Sequence, residues 1–66
     1  MSTLDSLRAA RANVISAQLH VADAANQLAG ARRSRALELH HALRDAVAWC
    51  DRLQVVVEGD ERAELG

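Results

Sequence analysis

Glu38-x-x-His41, with Asp45 one further turn along, is the arrangement in this sequence with the most metal-like chemistry. A carboxylate and an imidazole three residues apart share one side of a helix. Helical bundles hold paired iron ions with that spacing when a glutamate from a neighbouring helix completes the set. The upstream half of the chain contains no glutamate, and the trio falls opposite the apolar stripe of its own helix. A solvated, ion-paired face is therefore expected there, and no metal. The adjacent His40 points about 100° away from His41, so the two cannot chelate one ion from a regular helix. Ser16 and His20 lie one turn apart, as a nucleophile and its base would, and His20 and Asp23 could share a proton. No orienting acid or oxyanion site accompanies either pair, so they do not make a hydrolytic centre. Cys50 falls on an apolar stripe, where an inert, covered thiol is the expectation. Neither catalysis nor a cofactor is expected of this chain.

Arg32, Arg33 and Arg35 form the only concentrated charge. Exposed in a turn, they are a possible contact for an anion or an acidic partner, or for nucleic acid in a regulator. The chain as a whole has a net charge of −1, with 8 basic and 9 acidic residues. That balance, without aromatic neighbours for the arginines, disfavours a nucleic-acid role.

These groups need elements to carry them, and the apolar residues define two. Over residues 36–57, Ala36, Leu39, Leu43, Ala46, Cys50, Leu53 and Val57 recur at alternating steps of three and four, the spacing of one side of an α-helix. Upstream, Leu4, Leu7, Val14, Val21, Ala25 and Leu28 make a second stripe, widened by Ile15 and Ala22 and interrupted by Arg11 and Gln18. Arg11 can reach water from near the end of a bundle; alternatively, the two polar residues set register or partner choice. Ser2, followed three residues later by Asp5, resembles a capping box and starts the first helix near Thr3. Gly30 suits a left-handed residue beyond a helix C-terminus, Ser34 can cap a second helix, and Gly59 can stop it. Ala29, Gly30 and Ala31 contain no strong breaker, and the steps from Ala25 through Ala29 and Arg32 to Ala36 keep the heptad almost in phase, so one continuous helix is an alternative.

The expected fold is all-α: an antiparallel two-helix hairpin over residues 1–58, with helices at about 3–29 and 35–58 and a turn at about 30–34. An acidic, flexible tail follows over residues 59–66. Folding back sets Leu28 against Ala36, Val21 against Leu43, Val14 against Cys50 and Leu7 against Val57. Ile15, Leu19, Val47, Trp49 and Val56 then remain on the flanks as an association surface. With 66 residues, a single core is marginal without disulfide, metal or partner. The hairpin is accordingly expected to dimerise into a four-helix bundle, with Trp49 as an anchor.

No apolar run is long enough to span a bilayer, and residues 1–5 lack the basic region and apolar core of a signal peptide. A cytoplasmic protein is expected. All basic residues are Arg, and Lys, Phe, Tyr and Pro are absent, a bias that GC-rich codons produce and that suits a bacterium or one of its phages. The leading functional expectation is a small protein–protein interaction or adaptor module, pairing with itself and with a host or phage protein.

Overall fold

A computed structural model describes residues 2–65. The described chain is two helices, α1 (Thr3–Asn26) and α2 (Gly30–Leu65), laid side by side in one layer measuring 55 × 18 × 9 Å. Helix α1 begins where its capping signal stands. Ser2 has an extended backbone and its side chain accepts a hydrogen bond from the Asp5 amide at 3.1 Å, which satisfies one of the unpaired donors of the first turn. Asp5 also pairs with Arg8 at 3.7 Å, one turn along.

The reversal is shorter and earlier than the sequence suggests. Helix α1 stops at Asn26, because the amides of Gln27 and Leu28 turn back to the carbonyls of Ala24 and Ala25 at 3.0 and 3.2 Å. These three-residue closures tighten the last turn and end the α-helical pattern. Residues 27–29 alone connect the helices. Gly30 does adopt the left-handed backbone, with φ of 60°, but it opens α2 instead of following α1 directly. The chain therefore reverses, and the continuous rod is not formed. Ser34 lies inside α2, where its hydroxyl donates to the Gly30 carbonyl at 3.4 Å, so it is not the N-cap.

Helix α2 also runs further than expected. It passes through Gly59 and continues to Leu65, across the segment expected to be a tail. Half-buried residues extend along it as far as Val57, Glu58 and Glu61, and packing of this kind outweighs the weak helix propensity of a single glycine.

The seam shows how the helices are turned. On α1, flanked by half-buried Ile15, Ala17 and Ala22, the central covered positions are Leu4, Leu7, Arg11, Val14, Gln18, Val21 and Ala25, continued by Leu28 in the connector. They keep an unbroken three-four rhythm, with Arg11 and Gln18 inside it. On α2 the covered positions with the same rhythm are Ala36, His40, Leu43, Val47, Cys50, Gln54, Val57 and Glu61. Leu39 and Leu53, expected inward, are exposed at 51% and 48%. The helix is rotated so that His40, Val47 and Gln54 take the seam, and the leucines move to its outer edge.

Candidate interaction surface

Rotation of α2 gives it two apolar stripes. One is the seam. The other, one residue or about 100° round the helix, comprises Leu39, Ala42, Ala46, Trp49, Leu53 and Val56. Trp49 is 67% exposed and Val56 57%. Trp49, Leu53 and Val56 line a shallow, wholly apolar hollow beside Cys50, and the Arg52 guanidinium lies over the Trp49 ring at 4.8 Å. That stacking covers one face of the indole with a cation without removing it from solvent.

The other side of the hairpin is polar at its centre. Arg11 Nε donates to Asp51 Oδ1 at 2.6 Å, the one cross-helix ion pair among the described residues. Both side chains remain about half exposed, so the pair contributes little energy. Its value is positional, since it lies within two residues of the pairing expected from the stripes. Arg8, Ala12, Ile15 and Gln54 complete a groove around it. Arg11 thus reaches across the seam to Asp51 while its side chain stays in part exposed to water.

The five expected interface residues are not brought together. Asp51 and Leu53 flank the seam positions Cys50 and Gln54 from opposite sides, so Ile15, beside Asp51, and Trp49, beside Leu53, belong to opposite faces of the layer. Leu19, one turn beyond Ile15, is exposed at 64%. Val47 turns into the seam, and Val56 stays with Trp49. Leu39, Ala46 and Leu53 are the members of the outer stripe that the leucine periodicity places in the core, and of these only Ala46 is half-buried. Their spacing with Trp49 and Val56 was the available signal.

The remaining groups are solvated or singly placed. Arg32, Arg33 and Arg35 are exposed in the first two turns of α2, ahead of Ala36, the first half-buried residue there. They lie at the positive end of that helix dipole instead of in a turn. Glu38, His41 and Asp45 are exposed, and among the described residues no group of three such side chains could hold a metal ion. The His40 and His41 rings meet edge to face at 6.0 Å, with His40 in the seam and His41 outside it. Cys50 is a free thiol, half-buried in the seam.

What dominates the molecule is uncovered surface. Ala25, at 2% exposure, is the single buried residue among those described. The chain exposes 5030 Å², whereas a compact protein of this mass exposes about 4,100 Å². No helix among the described residues is long and apolar enough to cross a membrane. No family model, curated protein or solved structure matches the chain.

Proposed function

We propose that this protein is a small helical interaction module that works by self-association and by presenting a helical surface to a partner protein, with no catalysis of its own. The observation that carries this reading is the outer stripe of α2, with Leu39, Trp49, Leu53 and Val56 all about half exposed or more on one face. A hairpin two helices thick cannot dry both stripes of α2, and a second layer can. In a dimer of hairpins forming a four-helix bundle, the half-covered seam residues also gain a second wall. Ile15 and Leu19, on the other side of the layer, supply the surface for a bacterial or phage partner in the cytoplasm. Sedimentation equilibrium of the purified chain tests the first part: a dimer at micromolar concentration supports it, and a monomer throughout refutes it.

The exposed arginines favour one alternative. Arg32, Arg33 and Arg35 at the turn end of α2 could grip a nucleic-acid backbone, as in a small regulator. That reading requires salt-dependent binding to duplex or single-stranded oligonucleotides, lost when the three become alanine while helicity persists.

A further inference from the structure

We infer that the second layer is another copy of this chain, seated by an antiparallel two-fold contact of α2 on α2 whose axis passes between Ala46 and Trp49. The inference rests on the self-association proposed above and specifies its surface and register. Three features of the molecule lead to it: the symmetry of the exposed stripe, the charges beside it, and the area left uncovered.

A closed dimer must use the same patch on both copies. The apolar patch of α2 and the Ile15/Leu19 patch of α1 lie on opposite faces of the layer, so joining one to the other would generate an open chain of hairpins. Only like-on-like contact closes, and the α2 stripe is the more apolar of the two. It also lies about 100° from the seam, close to the right angle at which a helix meets its two neighbours in a square bundle.

The register follows from side-chain size. With the axis between Ala46 and Trp49, Trp49 of each copy sits over Ala46 of the other, Leu53 over Ala42, and Leu39 beside Val56. Each of the two larger side chains at the centre meets an alanine, as facing layers require for close packing. A shift of one heptad in either direction sets Trp49 against Leu39 or Leu53. Bulk then meets bulk in both cases, and in the shift toward Leu39 Ala42 meets Ala46.

Charge supports the same register. Along the solvent edge of the stripe stand Glu38, Asp45 and Arg52. In the antiparallel pairing, Asp45 of one copy comes beside Arg52 of the other, and the two-fold makes this contact twice. Arg52 already lies over Trp49 at the rim of the patch, where a carboxylate from the second copy can reach it. Opposite charges facing each other at such flanks select orientation and partner.

The area agrees. The surface in excess of a compact chain is roughly 900 Å², close to the ~800 Å² that each partner of a standard interface removes from water. The remaining large exposed apolar side chains, Leu19, Leu37 and Val55, lie outside this contact.

A charge exchange on the full chain tests the register. Asp45→Arg and Arg52→Asp each set like charges against one another at two places, and each should weaken dimerisation by about ten- to a hundredfold. The double variant should return to within about threefold of the unaltered chain, since both pairs are then rebuilt in reverse. Ala42→Arg, at an exposed position, should dissociate the dimer and leave helicity intact. Association is read from sedimentation equilibrium and from the emission of Trp49, which shifts to the red on dilution as the dimer separates and the ring returns to water. A chain that stays monomeric up to about 1 mM would overturn self-association itself. A dimer indifferent to the single exchanges, or not restored by the double, would overturn the α2 contact alone and leave self-association standing.

Discussion

Replacing the two structured glycines by alanine should change stability in opposite directions. At Gly59 an added Cβ would meet nothing within 4 Å, and the residue lies inside a helix that continues to Leu65. Alanine there removes only the conformational cost of glycine, about 0.5–1 kcal/mol in a helix interior. For a domain of this size that raises the melting temperature by roughly 2–8 °C. At Gly30 the space is equally open, but the backbone has φ of 60°. A side chain in that region costs about 1–2 kcal/mol, partly offset by about 0.4–1 kcal/mol from a stiffer unfolded chain. Gly30→Ala should therefore lose up to about 1.6 kcal/mol and melt lower, with Gly30→Asn falling between it and the unaltered chain. Circular dichroism melts at one fixed protein concentration measure all three, because association would otherwise move the midpoint. No gain from Gly59→Ala would mean that the helix ends there. A gain from Gly30→Ala would mean that the chain does not reverse at that residue.

Other changes probe the seam and its ends. Leu43→Asp, placing a carboxylate in the half-buried seam, should cost about 2–4 kcal/mol and abolish cooperative melting, whereas exposed Arg33→Ala should melt like the unaltered chain. Ser2→Ala removes the cap on α1 and should lower stability by about 1 kcal/mol, seen as a shifted urea midpoint. Asp51→Asn removes the carboxylate charge from the contact with Arg11 at a largely solvated site while leaving an acceptor oxygen. Its cost should stay below about 1 kcal/mol and shrink further when melts are repeated in molar salt.

The ends of α1 show how local information succeeds and fails. Its start was legible because a serine side chain and an amide three residues on make a self-contained hydrogen bond. Its stop was placed too late, since no residue type marks Gln27 and Leu28 as the place where the amides fold back. At Gly59 the error ran the other way. A glycine can end a helix or be carried within one, and neighbouring packing decides which. The arginine cluster moved with these boundaries, from a turn to the first turns of α2.

Two amphipathic helices and the three-four stripe of α1 were legible in the sequence, whereas the reversal competed there with a continuous helix and was decided by the structure, at residues 27–29. Periodicity is a property of each segment, and α1 has just one broad apolar side. The angle of α2 about its own axis was a tertiary matter. That helix has adjoining apolar stripes, and counting leucines turns Leu39 and Leu53 inward. The seam of α1 carries Arg11 and Gln18, however, and its mate is the face that brings Gln54 into the seam and Asp51 within reach of Arg11. The Arg11–Asp51 contact is worth little energy by itself, yet it marks the rotation, which periodicity along α2 leaves open because its two apolar stripes adjoin. By that rotation the more apolar stripe, with Trp49, was left facing outward.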